Sequence, residues 1–208
     1  MALILRYAGA MRYSRALYIA VGFLVFAAPS LARDGAETTI PLKNLSAQEV
    51  REESLDRLFA SLRKASGEQA AKATEEKIWE LWSRSDSATA EVLLGQAVVA
   101  MGVADNAASL EILDRIIAAY PTYAEAWNKR ATLHFMIGNY NTSLSDIEKV
   151  LDLEPRHFGA LAGRGMIYQR QGKWSEALSA FREALSMNPN MAGVKNAVQE
   201  LSKREQDI

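Results

Sequence analysis

Three prolines, Pro121, Pro155 and Pro189, stand 34 residues apart, twice over. A chain punctuated at a fixed period of this size is built from repeated supersecondary units, and that constrains the fold before any local propensity is weighed. The segments ending on these prolines superpose without gaps: "AEVLLGQAVVAMGVADNAASLEILDRIIAAYP", "AEAWNKRATLHFMIGNYNTSLSDIEKVLDLEP" and "FGALAGRGMIYQRQGKWSEALSAFREALSMNP". A large apolar residue recurs at Leu93, Trp127 and Leu161, and a small one four positions later at Ala97, Ala131 and Gly165. A turn follows at Ala104–Asp105, Gly138–Asn139 and Gly172–Lys173. Ser109, Ser143 and Ala177 are small again. Leu113, Ile147 and Phe181 are bulky, and Ile116, Val150 and Ala184 close the set.

These spacings have physical causes. Apolar residues at i, i+3, i+4 and i+7 make one buried stripe on a helix. The small columns mark the places where two helices cross closely. Glycine in the turn suits a left-handed backbone. The proline ends the second helix, because the residue before it disfavours the α region. Each unit is therefore expected to be two antiparallel helices.

At this point the chain resembles the tetratricopeptide repeat family. The middle unit carries Trp127, Ala131, Gly138, Tyr140 and Pro155 of its pattern. The last carries Gly165, Tyr168, Gly172, Trp174, Ala177, Phe181, Ala184 and Pro189. The first is degenerate, with Ala104 for the usual glycine and Asn106 for the usual aromatic. The resemblance covers residues 90–189 as units 90–123, 124–157 and 158–189. It implies an all-α, right-handed superhelix whose first helices line a concave groove.

The flanks complete the expected organisation. Residues 1–15 carry Arg6, Arg12 and Arg15 and no acid; the uncharged run "ALYIAVGFLVFAA" and the small residues Ser30 and Ala32 follow. That is the pattern of a secretory signal peptide, residues 1–32, cleaved after Ala32. The run is short of the roughly 20 apolar residues a spanning helix needs, so an uncleaved membrane anchor is the alternative reading. Met11 is an equally serviceable start. The polar residues 33–46 are expected to be an extended arm. Residues 47–89 read as an amphipathic helical hairpin, taken as a divergent repeat that caps the N-terminal end of the stack. Residues 190–208 read as a C-terminal capping helix.

Composition removes whole classes of function. There is no cysteine, hence no disulfide, thiolate metal site or cysteine nucleophile. Loss of residues 1–32 leaves 21 basic against 25 acidic residues, a net charge of −4, which argues against non-specific nucleic-acid binding. No metalloprotease, phosphate-loop, nucleophile-elbow or EF-hand motif occurs. His134 and His157 are the only imidazoles. His134 shares a column with Ala100 and Tyr168 and is read as a packing residue. His157, in the loop between units, is read as a contact residue at the groove edge. No catalytic residue, cofactor or metal is expected.

Partner binding is left as the expected role. Residues of the first helices that avoid the core stripe should face the groove: Leu94, Val98 and Met101 from the first unit; Asn128, Thr132, Phe135 and Met136 from the second; Ala162, Met166, Gln169 and Arg170 from the third. Tyr123 and His157 should lie at its edge. Such an apolar, methionine-bearing surface suits a peptide or helical segment of a protein partner. The competing reading has these residues packed against the chain's own hairpin, C-terminal helix or arm. Chaperone-binding relatives hold a C-terminal carboxylate with a Lys/Asn/Arg clamp; here Leu94, Val98, Gly159 and Gly163 stand in its places, and Lys129 alone has the right character. The expectation is a non-catalytic interaction scaffold, periplasmic or secreted, with no stable membrane insertion after cleavage; a chaperone-like adaptor, or a groove filled by the arm, is the alternative.

Overall fold

The computed structural model describes residues 46–206, all helix and turn. The expected signal peptide and all but the last residue of the expected arm lie outside the described residues. In chain order the helices are α1 (Ala47–Lys64), α2 (Glu68–Trp82), α3 (Ala88–Gly102), α4 (Asn106–Ala119), α5 (Ala124–Met136), α6 (Tyr140–Leu153), α7 (Phe158–Arg170), α8 (Trp174–Met187) and α9 (Ala192–Gln206). Helices α3 to α8 pair as α3/α4, α5/α6 and α7/α8, and successive pairs stack into an all-α superhelix.

The columns explain the stack. Ser109 and Ser143 are fully buried and donate their hydroxyls to the carbonyls of Ala97 and Ala131, at 3.0 and 2.7 Å. Small residues on both helices allow that approach. Gly165 is the tightest case: a Cβ there would stand 2.6 Å from the Phe181 ring. Tyr120, Glu154 and Asn188, each preceding a repeat proline, leave the helix at φ near −130°. Gly138 and Gly172 turn the chain at positive φ, and Ala104 does the same without being glycine, at φ 60°.

The hairpin α1/α2 corrects the expected cap. Its large side chains pack on the other end of the molecule. Leu55, Phe59, Leu62, Ile78 and Trp82 share one core with Phe158, Leu161, Phe181, Met191, Val194 and Leu201. The reason is aromatic area: Phe59, Trp79 and Trp82 all meet Phe158, at ring centroids 6.3, 5.4 and 5.0 Å away. Gly159 leaves room for this, since a Cβ there would lie 2.6 Å from the Trp79 ring.

Helix α2 consequently runs as a strap along the loops that follow the three units, two joining one unit to the next and one leading to α9. Asn188 donates to Glu75 (3.2 Å), and Asn190 donates to the Leu62 carbonyl in α1 (2.9 Å). Trp82 donates its indole N–H to Glu154 (3.2 Å). The Tyr123 hydroxyl donates to the Ser83 carbonyl just past the end of α2.

Candidate functional site

Under the strap lies a buried polar cluster. Glu125, in the first turn of α5, is fully enclosed. Its carboxylate accepts from Lys129 Nζ one helical turn away (2.7 Å), from Asn128 Nδ2 (3.1 Å) and from His157 Nε2 (3.2 Å). His157 caps α7: its Nδ1 accepts from the Ala160 N–H at 3.0 Å, which leaves the proton on Nε2 to point at Glu125. Trp82 stacks on the imidazole at 4.1 Å and 13°, and Trp79 meets it edge-on. Burial pushes the Glu125 carboxyl up, but the cation of Lys129 and the His157 bond outweigh it and hold it at about 2.

A second knot adjoins it. Glu154 accepts from Trp82 and from Arg156, whose guanidinium also reaches Asp56 (2.6 Å) and Glu52 (2.9 Å) in α1 and lies over the Phe59 ring. Burial raises the Glu154 carboxyl and Arg156 more than reverses that. The Tyr123 phenol is driven well up, by burial first and by Glu125 and Glu91 next.

Chemically this is a fastening rather than a reaction centre. Glu125 and His157 have no exposed surface, and their polar atoms are engaged. Among the described residues no group of three or more His, Asp or Glu is placed to hold a metal ion. No described helix is long and apolar enough to cross a membrane.

The expected groove residues divide into two sets. Leu94, Tyr123, Asn128, His157 and Ala162 are buried, which corrects the reading of Leu94, Asn128 and Ala162 as groove-facing and of Tyr123 and His157 as contacts at the groove edge. Leu94 packs with Leu113 and Ile116 of its own unit, Ala162 joins the core shared with the hairpin, and the other three are drawn into contact with α2 or the Glu125 cluster. Val98, Met101, Thr132, Phe135, Met166 and Gln169 are half-buried, while Met136 and Arg170 are exposed. These eight form a strip along the C-terminal halves of α3, α5 and α7, beside the covered half of the groove. Met136 keeps 45% of its surface in water, and Phe135 leans on Tyr140. Lys129, the one residue of clamp character, is committed to Glu125 and stands over the Trp79 ring. His134 is half-buried near the end of α5, and its Nδ1 has no partner among the described residues.

The residues that fasten the strap escaped the sequence reading: Glu125, Glu154, Arg156, Gly159, Trp79 and Trp82. Two signals were available. Tyr123, His157 and Met191 stand two residues after the repeat prolines, a column of large side chains that is buried in all three cases. The hairpin also holds three of its rings at Phe59, Trp79 and Trp82, too much apolar surface for a solvated cap.

Paired helices in a fixed 34-residue register, stacked by small-residue crossings, define the class: an α-helical repeat protein. The chain is similar to proteins of the tetratricopeptide repeat family. The family profile, described as tetratricopeptide repeat, matches residues 159–191. A TPR repeat-containing protein of Rhizobium etli is 42% identical over 132 residues. The alignment takes in 64% of this chain and 65% of that one, so this chain spans somewhat under two thirds of its relative. Among solved structures, the first TPR domain of Spaghetti (RPAP3), bound to the HSP90 peptide SRMEEVD, superposes with a TM-score of 0.55 at 20% identity, over 58% of this chain and 96% of that one. MamA does so with a TM-score of 0.53 at 17% identity, over 74% and 84%. The Sgt2 TPR domain of Aspergillus fumigatus gives 0.54 at 13%, over 58% and 82%. These three likenesses are of fold.

Proposed function

We propose that the protein is an exported, non-catalytic scaffold of the bacterial cell envelope that binds a segment of a partner protein in the uncovered half of its groove. One observation carries the reading. The hairpin fills the groove beside the inter-unit loops and stops there, leaving Met101, Phe135, Met136 and Met166 with Gln169 and Arg170 as a partly solvated strip. Soft apolar side chains with a few polar ones at the end suit a short amphipathic helix or extended peptide. The Spaghetti domain holds the peptide SRMEEVD, which has three acidic residues and ends in aspartate. Here the clamp positions are apolar or glycine and Lys129 is neutralised by Glu125, so the ligand is of a different, more apolar kind.

Export rests on the basic, apolar and small-residue order of residues 1–32. N-terminal sequencing of protein recovered from cell fractions should find Arg33 first and the protein outside the cytoplasm. A photoreactive residue at Met136, introduced in living cells, should crosslink one protein. Arg170→Glu with Met166→Asp should abolish the product while helical content is kept. An intact fold with no crosslinked product from Met136 would remove the groove as the binding surface.

A further inference from the structure

The outer face of α3 is a stacking face with nothing stacked on it. Val92 and Val99 are 61% and 68% exposed, and Val103 is more so. The counterpart of Val103 one repeat on, Ile137, stays exposed at the turn; those of Val92 and Val99, Ala126 and Leu133, have no exposed surface, and two repeats on Ala160 and Ile167 are equally enclosed. Those residues are covered by the second helix of the preceding unit: α4 through Leu113, Ile116 and Ile117, and α6 through Ile147 and Val150. Unit one has no preceding unit among the described residues, because the hairpin is fastened elsewhere. Helix α3 is accordingly apolar on both sides, with Glu91 its one charged residue. A helix apolar all round is ordinarily a buried one. A shallow depression of about 440 Å³ runs along the face past Gly95 and Gln96.

We propose that this face is the contact between two copies of the chain, with α3 packed antiparallel on its twin about a two-fold axis between Ala97 and Val98. The proposal concerns the opposite side of α3 from the groove and does not rest on the binding role given to that groove. The face is self-complementary under that axis. Val92 meets the twin's Val103, Gln96 meets Val99, and the small Gly95 meets Ala100, so the helices approach closely and the one charge lining the face, Asp105, stays at its end. Gln96 is the polar group at the middle of the seam, where one uncharged polar residue fixes register, and Asp105 stands at the end of the same depression. Antiparallel packing is also the relation in which α4 already covers α5. A head-to-tail filament is disfavoured, because the far end of the stack is closed by α9, whose outer residues include the exposed Lys195, Glu200, Lys203 and Arg204. Two identical faces meeting each other close the assembly at a dimer. A 15-residue helix offers a face about 22 Å long, which covers less than the ~800 Å² per partner of a standard interface, so the dimer is reversible.

Sedimentation velocity of the protein as the cell processes it, over a roughly hundredfold range of concentration, should show monomer passing into dimer. Val99→Lys should weaken dimerisation by roughly a hundredfold and leave the thermal midpoint of the monomer unchanged. The chain has no cysteine of its own, so engineered ones report geometry cleanly. Under mild oxidation Val92→Cys mixed with Val103→Cys should give a disulfide-linked heterodimer, and Val92→Cys alone should not. Crosslinking by Val92→Cys alone would overturn the antiparallel arrangement. A monomer at every concentration would overturn the proposal, and alkylation of Val99→Cys would then name the other occupant. Slow alkylation would mean that the chain's own residues 33–45 cover the face, and fast alkylation that it awaits a different protein.

Discussion

Glu125 ties two units and the strap together from inside the molecule, and its acidity should be visible in stability. Its ordinary value is 4.5, and in the fold it is held at about 2. A carboxyl depressed by folding stabilises fully above its unfolded value and loses that contribution as pH falls through the folded one. Glu125→Gln should therefore cost about 3 kcal/mol at neutral pH, by stranding Lys129 beside His157. The gap from wild type should close between pH 4.5 and pH 2. Urea titrations of both proteins along that interval measure it, and a gap independent of pH would assign the loss to packing. At Ala104 the chain holds an alanine at φ 60° where the sister turns use glycine. Ala104→Gly should raise stability by about 0.5–1 kcal/mol, read as a thermal midpoint a few degrees higher. The degenerate turn was legible in the sequence as a missing glycine. The buried carboxylate was not, because Glu125 sits in a first turn where acidic residues are usually solvated. Only the fold brings His157 to it, across 32 positions.

Among the elements, α7 shows how one helix serves two partners. Its Gly165 admits Phe181 from α8, and its Gly159 admits Trp79 from the strap. The first was readable as a column of small residues. The second was not, since Glu91 and Glu125 stand at the same place in the other units and no pattern marks the glycine. Gly159→Ala should force the indole away and shift tryptophan emission to the red. It should also make residues 46–84 the first to be cut by protease, at a cost of about 1–3 kcal/mol. Gly163→Ala meets only ordinary contact at 3.5 Å from Ile147 and should be neutral or stabilising by up to about 1 kcal/mol. Equal effects of the two would mean that helix propensity alone is being measured. In the hairpin, periodicity disclosed two amphipathic helices but not their destination, which is set by contacts 72 to 128 residues distant.

For the molecule as a whole, the strap changes the physics of the stack. A solenoid is coupled from neighbour to neighbour, and its units can unfold in succession. Here α2 is bonded to a loop after each of the three units, so loss of any one unit strips the strap from the others. Wild type should unfold in a single transition that coincides by fluorescence and circular dichroism. Removing both anchors in Trp79→Ala/Trp82→Ala should separate the transitions and lower the denaturant slope, which scales with the surface exposed in one step. The 34-residue period made the stack itself legible. Its lateral brace was hidden because it obeys no period.

The strap is also made before anything it binds. Phe59, Trp79 and Trp82 emerge from the ribosome roughly 75 to 100 residues ahead of Phe158, an interval on the order of 10 s at common elongation rates. Through that interval these rings have only one another as native ring partners. The nascent protein thus passes through a sticky phase whose length is set by translation and not by folding, and factors that shield emerging chains would meet it at its N-terminal hairpin.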